Sequence, residues 1–450
     1  MLNKSTFRLV IILFEFFISA LSNIFYIFFA FSLVIFIHEF GHYYIGKKCG
    51  IGVREFSIGF GPKLLGFKDK SGVVWKICIL PFGGFVKFEG DLDPSSLSTK
   101  INNFSKNTNH FNNASVISRA LTVSAGPVAN FLLSIIIFTS IILVNGIASD
   151  KPIIGNINNI PFQELKLKTG DLVLEINGKP INYFSDIFIK YNEINKDEDI
   201  VFLVKRNEEI IKFLVPNLFQ PLIKSIEPLS PASKAGLLPG DFILKVNGNN
   251  ILSFNELKKI VNASNGASIE LDIYRNGTIF KSILSPEKRP IENQDGSFSE
   301  TLRIGIIGGF ALEPQKITPN PLNAIQFGFL ATYRVISGSL RGLFEMINGS
   351  ISAKHVSGPI GIAHAISDVS KNGFISFLSL VGLISTGIGI INLFPLPILD
   401  GGHLLLLLYE KVFSKKPSPN FMQFFTFIGI FLLLSLMIFA TYNDLLRIIL

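Results

Sequence analysis

The chain has 450 residues, 48% of them hydrophobic and 44 of them Phe, with a formal net charge of +8. Its mean hydropathy is +0.46, too apolar for a soluble chain of ordinary composition, so several passes through a bilayer are expected. No soluble segment carries a basic face, which excludes nucleic acid as a partner. Two cysteines, Cys49 and Cys78, exclude a disulfide framework or a cysteine-based metal cluster.

Residues 1–46 read as an N-terminal segment and a first transmembrane helix. Phe7 to Leu21 is apolar behind Lys4 and Arg8, as at the start of a signal peptide, but is read here as an extension of that helix. The apolar run Phe25 to Ile37 ends in His38-Glu39-Phe40-Gly41-His42, an H-E-x-x-H signature. On a helix, positions i and i+4 share a face, so both imidazoles reach one Zn²⁺ while Glu39 stands beside the water that such a metal activates. The string also arises by chance, and one His near a helix end is commonly just solvated. Three ionisable groups within five residues of a membrane helix are costly, however, and such groups are usually retained for function.

Residues 47–117 carry Lys47, Lys48, Arg54, Lys63, Lys68, Lys70, Lys76, Lys87, Lys100 and Lys106, and Arg119 follows just beyond. This density of basic residues marks the segment as cytoplasmic. Within it, Phe56 to Leu64 and Val73 to Lys87 alternate apolar residues around glycines, the pattern of a β-hairpin at the membrane surface. Asp91 to Asn113 is rich in Ser, Asn and Lys and reads as a solvated loop. A second transmembrane helix is expected over 118–146.

An internal repeat with a period of about 70 residues follows. Gly170-Asp171-Leu172-Val173-Leu174 matches Gly240-Asp241-Phe242-Ile243-Leu244, Asn177-Gly178 matches Asn247-Gly248, Phe184 matches Phe254, and Arg206-Asn207 matches Arg275-Asn276. Each copy reads strand, turn, strand, helix, hairpin. The second copy, from Ser230-Pro231-Ala232 to Gly240-Asp241, resembles a PDZ domain of the bacterial protease type, and the first aligns as a divergent one, with Leu165 and Lys166 in place of Ala235 and Gly236. The expected boundaries are 147–218 and 219–288. PDZ domains add an extended peptide to a sheet edge, so these are read either as peptide-binding modules or as packed spacers. Residues 289–374 read as a linker with an amphipathic interfacial helix over Asn323 to Ile351.

The third and fourth transmembrane helices are expected over 375–410 and 423–448. Between them Lys411, Lys415 and Lys416 mark a second cytoplasmic connection. A catalytic zinc site needs three protein ligands and an open position. Asp400 is the preferred third ligand: it follows Asn392-Leu393-Phe394-Pro395-Leu396-Pro397, where two prolines break the helix, and irregular backbone at membrane depth lines a cavity or is buried in protein. His403 competes but lies about a turn away, and Asp400 taken alone would read as a helix cap rather than a ligand. His110, His355 and His364 fit no ligand spacing and read as surface residues.

Together, H-E-x-x-H in a first span, Ala125-Gly126-Pro127-Val128-Ala129-Asn130-Phe131 in a second, and Leu399-Asp400-Gly401 in a third resemble the site-2 protease family of intramembrane zinc metalloproteases. Ser357-Gly358-Pro359-Ile360-Gly361 before the third span also fits, and the tandem PDZ arrangement is similar to the bacterial sigma-E-regulating members. The resemblance implies a multi-pass α-helical membrane protein of about four transmembrane helices, with two extracytoplasmic PDZ domains between helices 2 and 3. It implies one Zn²⁺ per chain held by His38, His42 and Asp400, Glu39 as catalytic base, and Asn392, Gly83 and Gly84 as substrate-binding residues. Implied partners are the bilayer, membrane-spanning substrates of the anti-sigma-factor or remnant-signal-peptide type, and peptide ligands of the PDZ domains. The implied location is the bacterial inner membrane, with the active site near the cytoplasmic side. A membrane-anchored PDZ scaffold with a vestigial zinc site, or a transporter with a broken helix, are the competing readings.

Overall fold

A helix of 45 residues, α1 (Lys4–Lys48), opens the chain and turns abruptly at its end. Lys47 and Lys48 complement the negative C-terminal end of its dipole. Gly50 then adopts φ 75°, and the Ile51 N–H reaches back to the Gly46 carbonyl at 2.9 Å, closing the helix as left-handed glycine caps do. The computed structural model describes residues 4–90, 109–158, 160–161, 165–193, 200–215, 218, 221–293 and 297–449. Most of the Ser/Asn-rich loop expected over 91–113 lies outside the described residues.

Strands β1 (Val53–Lys68) and β2 (Val74–Phe88) follow, then α2 (Val116–Asn145). The first repeat comprises β3 (Ile147–Ala148), β4 (Ile154–Ile157), β5 (Leu172–Ile176), β6 (Lys179–Pro180), α3 (Phe184–Glu193), β7 (Ile200–Arg206) and β8 (Glu209–Val215). The second comprises β9 (Ile223–Ile226), α4 (Pro231–Lys234), β10 (Phe242–Val246), β11 (Asn249–Asn250), α5 (Phe254–Ala263), β12 (Ile269–Arg275) and β13 (Thr278–Leu284). Five short strands come next: β14 (Glu287–Glu292), β15 (Phe298–Arg303), β16 (Ile306–Gly308), β17 (Leu312–Pro314) and β18 (Lys316–Ile317). The chain ends in α6 (Pro321–Ile347), α7 (Pro359–Ser370), α8 (Phe374–Leu393), α9 (Asp400–Phe413) and α10 (Pro419–Ile449).

These elements divide into two units. One holds residues 1–139, 325–341 and 356–450, and the other 140–324 and 342–355. Leu21–Lys48, Val116–Asn145, Phe374–Leu393 and Pro419–Arg447 are long and apolar enough to cross a membrane, so four such helices exist among the described residues. Many of their outward side chains are exposed, as with Leu132 at 54% and Phe431 at 63%, which suits contact with lipid rather than water. The third expected span is interrupted: α8 ends at Leu393, Phe394 and Leu399 are extended, and helix resumes at Asp400. Pro395 and Pro397 explain the break, since each lacks an N–H and crowds the preceding turn.

The pair β1–β2 folds on itself. Val53 to Ile58 pair with Phe88 to Gly84 on one side and Val74 to Ile77 on the other, while Lys63 to Lys68 pair with Cys78 to Val74. The result is a curled antiparallel sheet with Gly84–Phe88 along one edge. Phe56 and Trp75 stack at 4.4 Å in its core, and Tyr43 of α1 packs on Trp75 at 5.1 Å. This fixes the sheet against one face of α1.

In the second unit the two repeats give two four-stranded sheets of the same order, β6-β5-β7-β8 and β11-β10-β12-β13. Asn177 (φ 48°) and Gly178 (φ 75°) turn the first hairpin, and Asn247 (φ 51°) and Gly248 (φ 80°) turn the second, the backbone that Asn-Gly turns favour. Asp171 is buried and accepts from Arg206 at 2.7 and 2.8 Å, and Asp241 accepts from Arg275 at 2.6 and 2.7 Å in the equivalent place. The stretch read as linker does more than connect: β16 pairs with β9 of the second repeat and β17 with β4 of the first. Both pairings are non-local, so no local sequence pattern announces them.

Candidate metal centre

Helix α1 presents two different faces at its end. Phe36 and Tyr43, seven residues apart on one helical face, meet the sheet at Phe56 with ring centroids 5.7 and 5.8 Å away, whereas His38 and His42 point roughly opposite and Glu39 lies between. The HExxH segment is in backbone contact with α2: a Cβ on Gly41 would lie 2.3 Å from the Ala125 carbonyl oxygen, so only glycine lets the helices approach this closely. Gly126 serves α2 likewise, since a Cβ there would lie 2.2 Å from His42 Nε2 and 2.9 Å from His38 Cε1.

The third element is α9. The turning, non-helical segment Phe394–Leu399 folds over its first turn so tightly that a Cβ on Gly401 would sit 2.2 Å from the Phe394 carbonyl oxygen, and one on Gly402 the same distance from that of Leu396. The two glycines therefore permit the fold that aims Asp400 at α1. His403 is exposed on the same helix and takes no part.

Three atoms converge. His38 Nε2 and His42 Nε2 are 3.2 Å apart, and Asp400 Oδ2 lies 3.2 Å from the first and 3.4 Å from the second. Asp400 Oδ2 is buried and accepts no hydrogen bond of suitable geometry from either ring. Ligands about 2.0–2.1 Å from a tetrahedral zinc are separated by about 3.3–3.4 Å, so the triangle has the edge lengths of three corners of a zinc tetrahedron. These three residues are the one such His/Cys/Asp/Glu cluster among the described residues. A set of two imidazoles and one carboxylate with a fourth direction open is also the donor set of hydrolytic zinc sites. The residues present fit the metal.

The imidazoles are themselves held. His42 Nδ1 donates to the Thr122 carbonyl at 2.9 Å, which leaves Nε2 as the bare nitrogen. His38 Nδ1 lies 3.3 Å from Asn130 Nδ2. Glu39 is buried and accepts from the Val86 N–H of the sheet edge, while a Cβ on Gly84 would touch its Cγ at 2.9 Å. The structure thus brings His38, Glu39, His42, Asp400 and Gly84 together. Gly83, at φ 102°, abuts the Phe60 ring, and the Asn392 amide donates to the Ile388 carbonyl of its own helix at 3.1 Å.

Sequence reasoning did not find Thr122, Val86 or the contact of Asn130. Thr122 and Val86 act through backbone, which carries no residue signature, whereas Asn130 lay inside a motif already singled out. Of the other histidines, His364 is exposed. His355 is half-buried beside Glu300 at 3.2 Å, and His110, half-buried rather than free on the surface, packs under the Gly90 turn with its Nδ1 buried.

The chain matches the model of Peptidase family M50 over residues 26–436. It is 32% identical over 461 residues to the regulator of sigma-E protease RseP of Escherichia coli K12, covering 92% of this chain and 96% of that protein. It is 30% identical over 423 residues to a Mesorhizobium japonicum protein named as a zinc metalloprotease, covering 93% and 96%. Among solved structures it is similar to the PDZ domain of an SdrC-like protein from Listeria monocytogenes, at 18% identity and a TM-score of 0.17, covering 20% of this chain and 90% of that one. The chain belongs to Peptidase family M50 and is an intramembrane zinc metalloprotease.

Proposed function

We propose that His38, His42 and Asp400 hold one zinc ion per chain and that Glu39 is the general base of an endopeptidase acting on membrane-spanning segments. The observation that carries this reading is the His38–His42–Asp400 triangle with edges of 3.2, 3.2 and 3.4 Å. A zinc ion bound there supplies Lewis acidity, which polarises a peptide carbonyl and makes water nucleophilic near neutral pH. Glu39 takes up a proton at its carboxylate and returns it to the departing amine.

A transmembrane helix satisfies its own backbone, so its scissile bond must be unwound before attack. Strand addition offers the compensation: an extended segment laid beside Gly84–Phe88 recovers backbone hydrogen bonds there. Gly83 and Gly84 keep that approach free of side chains, and Asn392 holds the substrate backbone from α8. The substrates are of the anti-sigma-factor or remnant-signal-peptide class. The two repeats of the second unit are PDZ domains on the extracytoplasmic side of a bacterial inner membrane, and they take peptide ligands. Lys47 and Lys48 after His42, with Lys411, Lys415 and Lys416, support a cytoplasmic position for the active-site end.

The test uses the full chain in proteoliposomes with a synthetic transmembrane peptide. Glu39→Gln is expected to lower cleavage by about 10²–10⁴-fold, with zinc content and melting temperature unchanged. Cleavage by Glu39→Gln at the unaltered rate contradicts the assignment.

A further inference from the structure

Asn130 of α2 is wholly buried, and its surroundings hold it in place through backbone rather than side chain. Its carbonyl accepts from Ser134 Oγ at 3.0 Å and from Ser385 Oγ of α8 at 2.9 Å. Ser134 Oγ also lies 2.9 Å from the Gly382 carbonyl and 2.9 Å from Thr386 Oγ1. This hydroxyl cluster pins one turn of α2 to α8 and leaves the Asn130 amide aimed at His38. Nδ2 is 3.3 Å from His38 Nδ1, while Oδ1 is buried with no hydrogen-bond partner.

His42 and His38 have the same requirement. Each must present a bare Nε2 toward Asp400, so each must carry its hydrogen on Nδ1 and point that hydrogen at an acceptor. For His42 the acceptor is the Thr122 carbonyl, 2.9 Å away, which can only accept. For His38 the neighbouring group is an amide, whose two ends are alike in size and opposite in hydrogen-bonding character. A half-turn about χ2 puts Oδ1 where Nδ2 stands. That half-turn gives up no bond made by Oδ1, because Oδ1 makes none.

We propose that Asn130 is a positioning residue for the metal site: its Oδ1 accepts the His38 Nδ1 hydrogen and holds that ring in the tautomer and orientation that bind zinc through Nε2. The inference rests on the zinc-site reading above. Asn130 completes a pair of outer supports on α2, one backbone carbonyl for His42 and one side-chain carbonyl for His38. Both sit on the helix that Gly41 and Gly126 bring into contact with the HExxH turn.

The measurement is zinc affinity of the purified full chain in detergent, by competition with a chromophoric chelator, with melting temperature recorded for each variant. Asn130→Leu, which fills the space without an acceptor, is expected to bind zinc about 10–100-fold more weakly. Asn130→Asp, nearly the same shape and acceptor-only, is expected to bind at least as tightly as the unaltered chain. Either Asn130→Leu binding as tightly as the unaltered chain, or Asn130→Asp weakening it as a deleted acceptor should, overturns the proposal. If Asn130→Leu does not fold, the Asp variant alone decides. An unaltered chain that binds no zinc overturns the site reading itself, an outcome distinct from equal affinities across a zinc-binding set.

Discussion

Arg119 and Glu410 are 291 positions apart in sequence and form a two-pronged ion pair, with Nη1 to Oε2 at 2.9 Å and Nη2 to Oε1 at 2.8 Å. Their side chains are 7% and 15% exposed. Arg119 is one turn before Thr122, whose carbonyl holds His42, and Glu410 is on the helix that begins with Asp400. The pair thus ties the helix supporting one proposed ligand to the helix carrying another. Planar fork-to-fork geometry makes such a link specific in register as well as attractive.

Breaking one half of that pair strands a buried charge. Arg119→Met or Glu410→Leu alone is expected to cost about 3–5 kcal/mol, whereas the double substitution recovers most of the loss. Chemical or thermal unfolding of the four proteins in detergent checks this. Equal losses that simply add would show that the two side chains do not act together.

Gly126 leaves no room for a side chain against the imidazoles. Gly126→Val is expected to keep the helices but displace His42 by a fraction of an ångström or more, lowering turnover on the order of 100-fold and weakening zinc retention. Metal analysis after dialysis, beside circular dichroism, separates this from unfolding.

Gly84 tests the sheet edge instead of the metal. A Cβ there meets Glu39 Cγ at 2.9 Å and Ile35 Cγ2 at the same distance. Gly84→Val is expected to retain zinc and lose at least ~10-fold in cleavage, since base and edge strand are both disturbed. Unchanged kinetics in that variant would remove the β2 edge from the proposed substrate path.

The turn between β1 and β2 gives a pH signal. Asp69 takes hydrogen bonds from the Trp75 indole N–H, the Ser71 hydroxyl and N–H and the Val73 N–H. They hold its carboxyl down to about 2, with the Trp75 bond the largest cause. A lowered value means the turn is supported above the ordinary carboxylate range and loses that support as pH falls toward 2. Trp75 is the single Trp of the chain, so its fluorescence reports the site. Emission should stay constant from pH 7 through about 4, where carboxylates ordinarily titrate, and shift only as pH approaches about 2. Asp69→Asn should show no such acid shift.

Much of the site is legible in the sequence because it is written in short-range code. His38, Glu39 and His42 share one helical turn. Asp400 follows a helix broken by two prolines, and a break at membrane depth has to line a cavity or lie buried in protein. Hydropathy marks the four long helices, and paired Gly-Asp and Asn-Gly steps mark the repeat. What escapes is what depends on meeting across the fold. Strands β16 and β17 are three residues long and gain meaning only beside β9 and β4. Thr122 and Val86 contribute backbone groups that any residue type supplies. The Arg119–Glu410 tie spans most of the chain, and nothing local in either helix indicates it.

Counting zinc distinguishes a metal site at His38, His42 and Asp400 from a mere cluster of polar side chains. Purified unaltered chain should hold one zinc per chain by elemental analysis, and His38→Ala, His42→Ala and Asp400→Ala should each lose most of it while Glu39→Gln keeps it. Full zinc in the Asp400→Ala protein, with a normal melting curve, would contradict the assignment of Asp400 as the third ligand and with it the account of this site.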